Sequence, residues 1–267
     1  MSPTTRRAAR LFGLLAAASI VVGACSSAGA PALTDPKEIV TAALRAGQAA
    51  KSVHVDLTLD GSLNADLTGS GATGSKLALT GTTGTADVDI AAGNAHATFA
   101  VPALLGLTGE LIEVGGMTYV KTSLTGDQFQ AQSATDQLPV NPGDTKSLID
   151  NVGDFLSKPG VDPVKGDDVA CGSTQCYTVK IELTPAELSA LGADTAGAIP
   201  SELPVDLGAA TLSVTIRVEK DTNRLGGVAV AVAMGDQGSL TVDLAFSKWD
   251  QAVTITAPPA DQIAPSS

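Results

Sequence analysis

The residues of this chain that could do chemistry are few, and their spacing narrows what that chemistry is. There are 3 cysteines and 2 histidines. Cys25 closes the run Val22-Gly23-Ala24-Cys25, behind a basic start (Arg6, Arg7, Arg10) and an apolar stretch from Leu11 to Val22. A basic start, a short apolar run and small residues at a cleavage point make a secretory signal. A small-residue pair followed by cysteine is the lipobox pattern. There the thiol receives a diacylglycerol group, with acyl chains such as palmitate, and the cysteine becomes the new N-terminus. A plain signal peptide with an incidental cysteine is the blander alternative. The apolar stretch falls short of the about 20 residues that a membrane span needs. Residues 1–24 are thus expected to be a lipoprotein signal peptide and Cys25 the lipidation site.

Cys171 and Cys176 flank Gly172-Ser173-Thr174-Gln175, with strand-like sequence on both sides. In an exported chain this spacing predicts a disulfide across a hairpin turn. A redox or metal pair is the alternative. A zinc site would need two further ligands, and no histidine lies near.

The remaining candidates argue against catalysis. His54 and His96 fall on the polar phase of strand-like runs, where solvated side chains are expected. Asp87 and Asp89 read as the wet face of a strand, and Asp167 and Asp168 as turn acids. No calcium-loop spacing accompanies them. Gly69 to Lys76 brushes against a phosphate-binding loop without its Gly-Lys-Ser/Thr end. No Gly-x-Ser-x-Gly and no Ser-x-x-Lys occurs. The expectation is a protein that is no enzyme and has no metal or cofactor.

The elements that must position these residues follow from charge and periodicity. The net charge of −12 makes the chain a poor nucleic-acid binder, because phosphate contact needs clustered Lys and Arg. Residues 25–34 read as a lipidated tether of small residues and proline. From Asp35 to Lys51 a helix is expected, with Asp35 as cap, Pro36 in the first turn and Ile39, Val40, Ala43 and Leu44 on one stripe. From Val53 the period becomes two, as in Val53/Val55/Leu57/Leu59. The same alternation returns around Val88, Phe99, Val179, Val214, Val230 and Val242, and Val253/Ile255 ends the series. Such alternation predicts an antiparallel sheet with one buried face. Helices are expected at Thr145–Leu156 and, opened by a Thr184–Glu187 capping box, from Thr184 to about Leu191. The pattern describes an α+β body over 35–257 built on one large curved antiparallel sheet, with a flexible tail at 258–267.

A long apolar sheet face needs a cover, which another sheet, a few helices or a bound apolar ligand can supply. The small residues Ala97, Ala229, Ala231 and Ala233 suggest room on that face. Aromatic residues are 3% of the chain, too few for the stacking platforms of a carbohydrate binder.

Several segments in order resemble the LppX/LprAFG lipoproteins of mycobacteria and their relatives. These are the lipobox at Cys25, the helix exit Ala49-Ala50-Lys51-Ser52-Val53-His54, and Val114-Gly115-Gly116-Met117-Thr118-Tyr119-Val120 followed by Gln128-Phe129. The Thr145–Leu156 helix and Leu244-Ala245-Phe246-Ser247-Lys248-Trp249 ahead of Pro258-Pro259 complete the likeness. The segment Ser62–Lys76 and the Cys171/Cys176 pair depart from the family. The resemblance implies a half-barrel sheet with helices on its concave face, as in the LolA and LolB carriers, around an apolar cavity. In this chain the lining would come from Val55, Leu57, Ile90, Phe99, Tyr119, Leu148, Ile149, Val152, Phe155, Val179, Ile181, Leu188, Val214, Ile216, Val230, Val232, Val242 and Leu244. It further implies an acylated lipid or glycolipid as ligand and the plasma membrane as anchor, on its extracytoplasmic face. A membrane transporter as partner and a monomeric state complete that picture. A structural or adhesive lipoprotein with a filled core and protein partners is the alternative.

Overall fold

The computed structural model describes residues 32–65, 75–133, 154, 156, 158, 161–188 and 210–265. The chain divides after Ala32, and Leu33–Ser267 forms the body. Its first element is α1 (Pro36–Gln48). Asp35 caps it by accepting a hydrogen bond from the Glu38 N–H at 2.9 Å, and Pro36 occupies the first turn, where its missing N–H costs nothing. Ile39, Val40 and Ala43 are buried along one stripe.

Among the described residues thirteen strands follow: β1 (Ser52–Ala65), β2 (Ser75–Ala78), β3 (Thr82–Asp89), β4 (Asn94–Val101), β5 (Leu107–Val114), β6 (Met117–Thr122), β7 (Gln130–Ser133), β8 (Val164–Lys165), β9 (Val169–Cys171), β10 (Thr174–Leu183), β11 (Thr211–Glu219), β12 (Leu225–Ala233) and β13 (Gly238–Ser247). They form one sheet in the order β7-β6-β5-β4-β3-β1-β13-β12-β11-β10-β8, with β2 beside β1 and β9 beside β10. The pairings are antiparallel and the sheet does not close: its two edges are the short β7 and β8. The first long strand and the last pair at the centre, Val55 opposite Phe246 and Leu57 opposite Leu244.

Register sorts the side chains into two faces, because partners directly opposite each other point the same way. One apolar row runs Phe99–Gly84–Leu57–Leu244–Val228–Ile216–Val179. The next runs Leu59–Val242–Val230–Val214–Ile181. The opposite face carries His54, Asp87, His96, Arg217 and Asp243. The outer edge of the Phe99 ring reaches over Gly109: a Cβ there would come within 2.1 Å of it, so the glycine is what admits the aromatic.

α1 lies on the apolar face over β10, β11 and β12. Ile39, Val40 and Ala43 pack there with Tyr177, Val179, Ile181, Leu183, Ile216 and Val218, joined by Leu156 and Val161. This is the close-packed core.

Several expectations change. Val253 and Ile255 lie outside the sheet, in a segment without strand hydrogen bonding. The tail is tied down rather than free as far as Ala264. Phe129 N–H donates to the Gln262 carbonyl, Ala264 N–H donates to the Phe129 carbonyl (both 2.8 Å), and Pro258 is buried. Ala229, Ala231 and Ala233 alternate with the valines of β12 and sit on the opposite face, so they make no room on the apolar one. The Thr184 capping box is formed, with Glu187 Oε2 accepting from Thr184 N–H at 2.7 Å, and residues 185–188 are helical. Of the Thr145–Leu156 helix only Asp154 and Leu156 are among the described residues, both helical.

Candidate functional site

Among the described residues the apolar face is the one large surface built from aligned aliphatic side chains, and its cover is uneven. Along the first register row Val179 is 0% and Ile216 6% exposed. Val228, Leu244, Leu57 and Phe99, in the same row beyond the reach of the α1 core, are only half-buried. In the next row Ile181 is 1% exposed, while Val214, Val230, Val242 and Leu59 are half-buried.

Of the residues expected to line a cavity, Val55, Leu57, Phe99, Val179, Ile181, Val214, Ile216, Val230, Val232, Val242 and Leu244 share this face. Val179, Ile181 and Ile216 belong to the α1 core, against which Leu188 and Val214 also pack. Tyr119 is on the wrong face. It stands opposite Ile112 and Ala131, in the row of His96 and Asp87, because the β5–β6 register sets Val120, not Tyr119, against Leu111 of the apolar face. Ile90 lies past the end of β3 in a turn, its N–H bonded to the Lys51 carbonyl. Leu148, Ile149, Val152, Phe155 and Cys25 lie outside the described residues. Leu59, Leu111, Val120, Leu212, Val228, Leu240 and Phe246 share the face and were missed. Their alternation was visible in the sequence, and the cross-strand register that groups them was not.

A buried carboxyl stands on the apolar face at the end nearer the start of β1. Glu113 aligns with Ala95 and Thr118, is 6% exposed, and makes no ion pair or hydrogen bond among the described residues. Burial alone pushes its carboxyl above the ordinary value.

The opposite face is charged and paired. His54 Nδ1 is 2.6 Å from Asp87 Oδ1, and its Nε2 is 3.5 Å from Asp56. His96 Nε2 lies 2.9 Å from Glu110, which Lys121 also reaches at 2.8 Å. Lys121, and after it His96, hold the Glu110 carboxyl below its ordinary value against the opposing effect of burial. Both histidines and Asp87 are therefore cross-strand partners rather than merely solvated side chains. Arg217 Nη2 grips both oxygens of Asp243 at 2.8 and 3.0 Å, passing over Gly227. At the β8 edge, on the side of the α1 core, Lys165 stands in the Val179 row; with Lys220 it bridges Asp168 beside the Tyr177 ring, and the Lys220 hydrogen bond leads in lowering the Asp168 carboxyl. Shallow grooves of about 340 and 400 Å³ open among polar residues, the smaller lined by Thr98, Glu110 and Lys121. Another, of about 410 Å³, lies at the sheet end where Leu183, Leu212, Val232 and Leu240 align. No group of three or more His, Cys, Asp or Glu among the described residues could hold a metal ion.

Cys171 and Cys176 form a disulfide across the β9–β10 turn, with Cα atoms 5.7 Å apart. The bridge rests on the backbone of Gly226, where a Cβ would meet both sulfurs at 3.0 and 2.9 Å. Nearby, Trp249 donates its indole N–H to the Leu225 carbonyl at 3.1 Å and stacks on Phe246, so the Ser-Lys-Trp segment closes this end of the sheet. No helix among the described residues is long and apolar enough to cross a membrane.

No protein-family model matches the chain, and no curated protein does. Among solved structures it is similar to LprF from Mycobacterium bovis, at 20% identity over 85% of this chain and 98% of that one, with a TM-score of 0.54. It is also similar to the lipoprotein LppX from Mycobacterium tuberculosis, at 17% identity over 84% of this chain and 100% of that one, with a TM-score of 0.37. A LolA superfamily protein from Nitrosomonas europaea matches at 10% identity over 87% and 99%, with a TM-score of 0.25. The likeness to LprF shows a shared fold: one large antiparallel sheet, left open, with few helices. LprF bears the name of the LppX/LprAFG group that the sequence resembles.

Proposed function

We propose that this chain is a membrane-anchored lipoprotein of the LppX/LprAFG kind that binds an acylated lipid on the half-buried part of its apolar face and carries it across the cell envelope. The observation that carries the reading is the stretch of aligned Leu57, Leu59, Val230, Val242 and Leu244 left half-buried beside a core where the same rows are fully packed. Acyl chains laid there would be driven by burial alone, at about 0.8 kcal/mol per CH₂. Two chains suffice for tight binding without a charged contact. Ile149, Val152 and Phe155 of the Thr145–Leu156 segment would complete the lining, and Cys25 would carry the anchor.

On this reading the protein has no catalytic residue and takes no cofactor other than its lipid. It would work as a monomer on the extracytoplasmic face, with a glycolipid as one candidate ligand and a membrane transporter as one candidate partner. The adhesive alternative would require a filled apolar face.

Native mass spectrometry after gentle extraction tests the reading: a co-purified lipid of defined mass is expected. Protein that is empty and also ignores added diacyl lipids overturns it. Val242→Trp supplies the spatial test. It should lower lipid uptake while keeping the fold, since a close-packed site would instead lose about 1–3 kcal/mol from overpacking.

A further inference from the structure

Between β4 and β5 the chain makes a hydrogen-bonded tip, Pro102-Ala103-Leu104-Leu105-Gly106. Leu104 N–H bonds to the Val101 carbonyl (3.1 Å), Gly106 N–H to Pro102 (3.1 Å) and Leu107 N–H to Leu104 (2.9 Å). These bonds hold Leu105 at φ +56°, a left-handed conformation that a leucine rarely adopts, and leave it 98% exposed. Leu104 is 42% exposed. Leu124, 73% exposed, stands at the same end of the sheet, because Ser123 is locked to Thr108 by two hydrogen bonds at 2.9 and 3.2 Å. From Val101 to Gly109, and from Thr122 to Gly126, no side chain is charged. A strained residue held exposed by its surroundings points to a use for the exposure.

The apolar face opens toward this tip. At the far end of the same strands Val53, Ala95, Glu113 and Thr118 are all buried, at 4 to 8% exposure. At the tip end Leu59, Val101 and Leu107 of the same face are half-buried. The chain enters at the closed end, where Leu33 N–H donates to the Tyr177 hydroxyl at 3.1 Å.

We propose that the Pro102–Gly106 tip, with Leu124 beside it, is a bilayer-docking element that sets the open end of the apolar face against a lipid surface. The proposal rests on the lipid-binding reading and adds to it the direction from which lipid enters. A neutral surface is the fitting occupant: the tip brings aliphatic side chains and no cation, and a chain of net charge −12 is repelled by anionic lipid.

The test uses the full chain with Leu105→Trp and neutral phosphatidylcholine vesicles. Emission from the introduced indole is expected to shift to the blue and to be quenched by brominated phosphatidylcholine. The native Trp249, at the opposite end, should stay unquenched in the parent chain. Emission that vesicles leave unchanged overturns the proposal and assigns the tip to a protein partner. A second arm pairs Leu105→Ser with Leu124→Ser. Transfer of fluorescent diacyl lipid from vesicles should slow about tenfold, while uptake of the same lipid from detergent micelles stays at the parent level. Equal loss by both routes also overturns it. A parent chain that takes up lipid by neither route, while the Leu105→Trp variant still shows quenching, removes the carrier reading and leaves the docking element standing.

Discussion

Two parts of one register row behave differently. Val179 and Ile216 are sealed under α1, while Leu244 and Leu57, a few strands along and of the same chemistry, are only half-covered. Alternation put all four on one face; the path of α1, joined by Leu156 and Val161, decided which of them became core. A sheet of this size thus carries two surfaces on one side. One is held by packing, and the other, half-covered, is where the proposed ligand would lie.

The largest effect should come from opening the sealed part. Ile181→Ala removes a side chain 1% exposed and should cost about 2–5 kcal/mol, seen as a lower midpoint in urea. Leu244→Ala, half-buried, should cost about 1 kcal/mol and weaken lipid uptake more than stability. Equal losses from the two variants would break the comparison.

The disulfide lies outside both parts. Replacing Cys171 and Cys176 together by Ser releases only a short loop and should cost about 2 kcal/mol or less, with lipid binding intact. Loss of binding would mean that the closed end shapes the ligand site.

A smaller change acts on the cover itself. Asp35→Ala removes the cap of α1 and should cost about 1 kcal/mol by thermal unfolding. It should raise amide exchange in α1 ahead of the β1–β13 centre.

The smallest effect concerns Glu113. Its folded carboxyl is held above the unfolded value of 4.5, so the folded state binds the proton more tightly. Stability from this group is full at low pH and is lost as pH rises from about 4.5 through the raised value. Glu113→Gln should flatten that fall. Glu110 and Asp168, both lowered, act the other way and should still withdraw stability as pH drops below the ordinary carboxylate range. A pH–stability curve unchanged by Glu113→Gln would place that side chain in water.

Much of this was legible in the residues. Asp35 and Pro36 announce a helix start, Val53 to Leu59 a half-buried strand, and the cysteine spacing a bridged turn. All three depend on neighbours in sequence. The face of Tyr119 and the pairing of His54 are not legible there, for the opposite reason. The face of Tyr119 depends on where β6 begins to pair, and the partner of His54 lies on β3. Periodicity within one strand contains neither fact. The Pro258 tail failed in the same way, since its polar composition says nothing of the Phe129 backbone that holds it.

The central pairing of β1 with β13 also sets an order of events. β3 to β6 can zip as successive hairpins soon after they emerge, and β10 to β13 can do the same later. The inner edge of β1 has no partner until Gly238–Ser247 arrives, close to the end of the chain. Joining strands so far apart carries a large loop-closure cost and is slow, and an unpaired edge is an invitation to other chains while it lasts. The interval between pairing of the first half and docking of the last strand is therefore when this protein is most exposed to aggregation, and a variant that delays the β1–β13 pairing should show up as aggregation rather than as lost affinity.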